Sequence, residues 1–240
     1  MRNFLLLLSF LVVAASQAQT IGVERQRVVL TSPETSFKIY NQVTGERISE
    51  EELMEIVRKR GSTYLDKDFN KYGQPTRGYY HPDSAHLTIR NRNQHKQIQP
   101  GEELPKFVFT LVDGTKLRSK KLRGKWVLLK FDLVVEFLDY PDYEALAAQV
   151  DALDEKYPLV AITCLRDNEE NIRTGIGGKY DPIRWMGEGT GFQEKYFISR
   201  LPTSVLLDPK GRVVTYFRYH EKMDLEETIL RHLSETSTAR

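Results

Sequence analysis

Two runs of apolar residues, Trp126-Val127-Leu128-Leu129-Lys130-Phe131 and Leu159-Val160-Ala161-Ile162-Thr163-Cys164, constrain this chain more than any other feature. Runs of this length with little polar alternation read as strands covered on both faces. Between them, after Pro141, Tyr143, Leu146, Ala147, Val150, Leu153 and Tyr157 recur at helical spacing and predict an amphipathic helix over Asp142 to Lys156. Strand, helix and strand in that order imply a parallel pair joined by a right-handed crossover. Downstream, Ser204 to Leu207 and Val213 to Phe217 flank Asp208-Pro209-Lys210-Gly211, the pattern of an antiparallel hairpin. Asp224-x-x-Glu227 then caps a last helix bearing Leu225, Ile229, Leu230 and Leu233. The expected class is α/β, a mixed central sheet flanked by helices.

The region before this unit reads differently. Arg2 precedes an apolar stretch from Phe4 to Ala15, shorter than the ~20 residues that span a bilayer, and Ser16-Gln17-Ala18 supplies small residues for cleavage after Ala18. Residues 1–18 are therefore expected to be a signal peptide, and the mature protein to be exported, periplasmic or extracellular, with no membrane anchor. Residues 19–98 read as a small α+β extension and linker, with the polar stretch Asn91 to Gln97 as the linker. Within it Phe37 to Tyr40 predicts a strand, Thr44-Gly45 a turn, and Ser49-x-x-Glu52 a capping box, with Ile48 and Leu53 as its hydrophobic staple and Gly61 as the helix stop. The stretch from Thr63 to Ile89 is mostly polar and rich in turn residues. The helix, with Leu53, Ile56 and Val57 on one face, is expected to dock on the larger unit at 99–240.

Composition narrows the chemistry. With 35 Lys+Arg against 33 Asp+Glu, the net charge of +2 does not imply a nucleic-acid or membrane-surface partner. One cysteine in 240 residues excludes an intramolecular disulfide, a C-x-x-C pair and a cysteine-rich zinc site. His81, His86 and His95 lack metal-ligand spacing, so no metal is expected. The basic, aromatic residues Arg77, Tyr79, Tyr80, Arg90, Arg92 and Lys96 read as a docking surface or solvated loop, and not as a nucleic-acid site. Glycines 175, 177, 178, 187, 189 and 191 around Trp185-Met186 suggest a flexible loop insertion. No strand leads into a phosphate-cradling loop, and no cofactor is expected.

Gly101 to Phe107, Gly124 to Phe131 and Leu201-Pro202-Thr203-Ser204-Val205-Leu206-Leu207-Asp208-Pro209-Lys210-Gly211 together resemble the thioredoxin-like redoxins. The chain is most similar to the exported thiol-disulfide reductases and the alkyl hydroperoxide reductase/thiol-specific antioxidant group, over about 99–240. The resemblance implies a thioredoxin-like fold with Pro202 as the cis-proline beside the active site. It also places Glu136 and Asp139 where the two redox cysteines of the family fall, five and eight residues beyond Phe131. A carboxylate cannot exchange disulfides, so a degenerate site and no dithiol oxidoreductase activity are expected.

Three readings of function remain. The first is a redox-inactive module that binds an extended peptide or partner protein at the loop Arg200, Leu201, Pro202 and Thr203, where the resemblance implies backbone pairing with a polypeptide. The second is a single-cysteine thiol peroxidase or oxidoreductase using Cys164, although a cysteine ending an apolar strand is more often an inert core residue. The third uses Glu136 and Asp139 as a carboxylate pair, against the simpler reading of a solvated loop at a helix start. They are ranked in that order.

Overall fold

The computed structural model describes residues 37–60, 65–82, 90–219 and 221–238. The leader expected at 1–18, the stop at Gly61 and the side chain of His86 lie outside them. Strand β7 (Trp126–Phe131) and strand β8 (Leu159–Cys164) are buried at every position and pair in parallel, Trp126 opposite Leu159 and Phe131 opposite Cys164. Helix α2 (Tyr140–Asp154) makes the crossover and turns Tyr143, Leu146, Ala147, Val150 and Leu153 inward. It starts two residues earlier than its apolar spacing suggests. Asp139 is the N-cap, and Pro141 falls in the first turn, where a missing N–H costs no helical bond.

Strands β10 (Thr203–Leu207) and β11 (Val213–Arg218) form the expected hairpin, with β10 antiparallel to β7. The buried Asp208 holds its turn, accepting from the N–H groups of Lys210 and Arg212, both at 2.9 Å, and from Arg212 Nε at 2.9 Å. Strand β9 (Arg184–Met186) adds in parallel beside β8 and completes a five-stranded sheet in the order β11-β10-β7-β8-β9. One core cluster lies on each face. Phe109, Leu129, Phe131, Ile162, Cys164 and Tyr196 belong to one, and Leu128, Tyr143, Leu146, Leu165, Leu206 and Ile229 to the other. This is the thioredoxin-like arrangement implied by the motifs. Before it, β5 (Val108–Thr110) and β6 (Lys116–Arg118) pair around Asp113-Gly114.

The glycine-rich region is ordered rather than a flexible insertion. Helix α3 (Glu169–Ile176) is capped by Asn168 and ends on Gly177 in the left-handed region at φ 58°, β9 follows, and helix α4 (Thr190–Lys195) comes next. The glycines there serve helix termination and close backbone approach, which composition alone does not distinguish from mobility. Helix α5 (Leu225–Thr238) is capped by Asp224, which accepts from the Glu227 N–H at 3.0 Å. It buries Leu225, Thr228 and Ile229 but leaves Leu230 and Leu233 exposed. At 3.6 residues per turn, 225, 228 and 229 share the inner face and 230 turns away from it.

In the N-terminal region β1 (Lys38–Asn41), β2 (Arg47–Ile48), β3 (Leu65–Phe69) and β4 (Pro75–Tyr80) make a second sheet in the order β2-β1-β4-β3. Helix α1 (Glu50–Arg60) begins at Ser49, whose Oγ accepts from the Glu52 N–H at 3.1 Å, and Ile48 and Leu53 are buried with Ile39 and Tyr80. The hairpin β3–β4 occupies the stretch read as polar turns; the charged residues of β3 are half-buried and engaged, as in Tyr79 OH donating to Asp68 Oδ2 at 2.6 Å. The described residues all fall in one compact unit, Thr35–Arg240. Asn91 is buried and binds both the N–H and the carbonyl of Lys67, and its amide also reaches the Glu194 carbonyl at 3.4 Å. Lys195 Nζ donates to the carbonyls of Asn70 at 3.0 Å and Lys106 at 2.7 Å. A Cβ at Gly191 would stand 1.9 Å from the Gly73 carbonyl oxygen. Gly191→Ala is therefore expected to lower unfolding free energy by about 1–3 kcal/mol, the usual range for forced overpacking, measured as a shift in the urea midpoint.

Candidate functional site

Lys130 is a charge inside a strand with no exposed position, and such an ammonium must be paired. Its partner comes from the first turn of α2. Lys130 Nζ lies 2.6 Å from Asp142 Oδ2 and 4.6 Å from the centre of the Tyr143 ring. The Tyr143 hydroxyl donates to Asp132 Oδ2 at 3.1 Å, and the Leu133 N–H donates to Asp132 Oδ1 at 2.8 Å. Gln193 of α4 donates its amide to the Asp132 carbonyl at 3.0 Å and accepts from Arg166 Nε at 2.9 Å. Burial pushes the Asp132 carboxyl above the usual carboxylate range, against the opposing pull of the Leu133 N–H and the Lys130 ammonium. Burial likewise holds the Tyr143 phenol well above its ordinary value.

This network floors a cleft of about 650 Å³. Asp139, Asp142 and Phe137 form one wall, Phe217, Arg218, Glu221, Lys222 and Met223 the other, and Pro202 and Ser204 line it beside Lys130. The Leu201-Pro202 peptide bond is cis. Among the described residues no backbone hydrogen bond engages Leu201, while the Arg200 carbonyl accepts from Thr203 Oγ1 at 2.8 Å. Arg200 is exposed, Leu201 and Pro202 are half-buried and Thr203 is buried.

The residues singled out by sequence separate into three places. Asp139 lines the cleft with Pro202, and as N-cap accepts from the Asp142 N–H at 3.3 Å. Glu136 is exposed in the single turn Val135–Phe137 and does not line the cleft, so the structure does not join it with Asp139 over the floor. Cys164 lies in the core with Phe131, Ile162, Met186 and Tyr196, is 0% exposed, and has its thiol pushed far above the ordinary range by burial. Lys130, Asp132, Asp142 and Tyr143 were not singled out. The signal for them was Lys130 itself, a cation in an otherwise apolar run whose nearest acids in sequence are Asp132 and the start of the next helix. Among the described residues no group of three or more His, Cys, Asp or Glu is placed to hold a metal ion, and no helix is long and apolar enough to cross a membrane.

No family model matches the chain. The thiol-disulfide oxidoreductase ResA of Bacillus anthracis is 30% identical to it over 129 residues, covering 50% of this chain and 69% of that protein. A ResA of Bacillus cereus is 24% identical over 152 residues, covering 59% of this chain and 83% of that protein. Among solved structures, the thioredoxin domain of a thiol-disulfide oxidoreductase from Bacteroides vulgatus aligns at 19% identity and a TM-score of 0.48, over 57% of this chain and 99% of that domain.

The buried carboxyl has a measurable signature. A carboxyl whose folded pKa is raised adds stability below its unfolded value of about 3.9 and loses it as pH rises through the folded value. Urea midpoints measured from about pH 4 upward are expected to fall through that window in the natural protein, and to be flatter in Asp132→Asn.

Proposed function

The chain belongs to the thioredoxin-like thiol-disulfide oxidoreductase family that includes ResA, and from that premise we propose that it is an exported member acting by binding an extended peptide or partner protein at the Pro202 cleft, without dithiol exchange. Exchange within one chain needs an attacking and a resolving thiol, and this sequence has one cysteine. The observation that carries the reading is the state of that cysteine. Cys164 meets no solvent and burial pushes its thiol far above the ordinary range, which disfavours the thiolate that a disulfide or a peroxide would need. The backbone at Leu201, by contrast, stands beside an open cleft with partly exposed side chains. An extended segment can pair there by main-chain hydrogen bonds while its side chains enter the cleft. Export rests on the leader pattern of residues 1–18.

Turnover of insulin disulfides and of hydrogen peroxide, each with a supplied thiol reductant, tests the chemical half of the proposal. Neither the natural protein nor Cys164→Ala should exceed the background rate. Turnover that disappears in Cys164→Ala would instead establish a single-thiol enzyme. Export predicts that the protein recovered outside the cytoplasm begins at Gln19; a cytoplasmic protein with its first 18 residues intact would overturn it.

A further inference from the structure

The stretch Glu136-Phe137-Leu138-Asp139-Tyr140 buries only Leu138 and turns two carboxylates and two rings outward. Phe137 is 71% exposed, and with Asp139 it forms the α2 wall of the Pro202 cleft. The other acid of that wall, Asp142, is already taken by Lys130. Among the described residues neither Glu136 nor Asp139 has an ion-pair partner, and the only hydrogen bond to the Asp139 carboxylate is the capping contact at 3.3 Å. The positive end of α2 is offset by Asp139 and Asp142 together. An open ring beside an unpaired carboxylate suits a cationic side chain, which gains from the ring face and the ion pair at once. The opposite wall carries two cations, Arg218 and Lys222, against one acid, Glu221, whose carboxylate already accepts from the Arg218 N–H at 2.9 Å, so a cationic side chain is favoured on the side of Phe137 and Asp139.

Resting on the docking reading above, we infer that the Pro202 cleft selects extended segments that present a lysine or arginine side chain to Phe137 and Asp139. The backbone of the segment lies along Leu201, and Glu136, at the outer edge of the same turn, adds attraction for a neighbouring basic residue.

The test is fluorescence anisotropy of the purified protein with three labelled, uncharged-flank peptides that differ only in a central pair of residues: Arg-Lys, Gln-Gln or Glu-Glu. The basic peptide should bind tightest, about tenfold above the neutral one for two exposed ion pairs, and should weaken most as salt is raised. Glu136→Gln combined with Asp139→Asn should bring the basic peptide to the neutral level; asparagine still caps a helix, and an unchanged melting temperature would exclude misfolding as the cause. Phe137→Ala should weaken the basic peptide more than the other two. Equal or better binding of the acidic peptide, or a basic preference that survives the double variant, overturns the inference while leaving the docking reading intact. Binding of none of the three overturns both.

Discussion

An ammonium group buried in a central strand has one way to be tolerated, and the 2.6 Å contact from Lys130 to Asp142 supplies it. That contact ties the start of α2 to the middle of β7. The N-cap at Asp139 and the inward turn of Tyr143 follow from where Asp142 must stand, and the Tyr143 hydroxyl then reaches Asp132. Because β10 pairs with β7, with Ser204 opposite Lys130, the same contact sets the distance between the α2 wall and Pro202. The width of the cleft is thus tied to one ion pair that joins its floor to its wall. A pair of this kind contributes less to net stability than to the choice of one geometry, since the buried Lys130 loses its hydration to form it while Asp142 stays half exposed.

What could be read from the sequence was whatever had a short-range physical cause. The apolar runs at 126–131 and 159–164, the helical spacing from Tyr143 to Leu153, the turn built on Asp208 and the caps at Ser49 and Asp224 each carry their own local signal, and each stands in the structure. Long-range compensation was not legible. Strand β3, Leu-Asp-Lys-Asp-Phe, has a polar pattern that makes sense only beside Tyr79 across the hairpin and beside Asn91 and Glu194, which are far from it in sequence. Strand β9 is three residues long, and its pairing with β8 is invisible without the sheet. At the cleft, Pro202 and Asp139 were visible through a family resemblance, whereas Lys130, Asp132 and Tyr143 form a site only once strand and helix are brought together. The exposure of Glu136 away from the cleft was likewise a matter of the single helical turn at Val135–Phe137.

The proposed absence of thiol exchange changes what the rest of the fold has to do. A redox site must release its substrate after a covalent step, so its groove tolerates weak contacts. A site that acts by binding alone depends on the non-covalent contacts, and the exposed ring of Phe137 beside Asp139 is the kind of surface such a site uses. The core meanwhile treats Cys164 as a small apolar residue, packed with Phe131 and Tyr196.

The meeting of Gly73 and Gly191 has a consequence for how this protein can be divided. A contact made of two backbones has no side chain to trim, and α4 is held from the other side by Gln193 on Asp132 and by Lys195 on the carbonyls of Asn70 and Lys106. A fragment beginning near residue 99 would keep every strand of the five-stranded sheet, yet it would strip the cover from Phe192 and leave Lys195 with one of its two carbonyls. The boundary that separates the family-like part of the chain is therefore a poor place to cut it, since α4 links the preceding hairpin to the floor of the cleft.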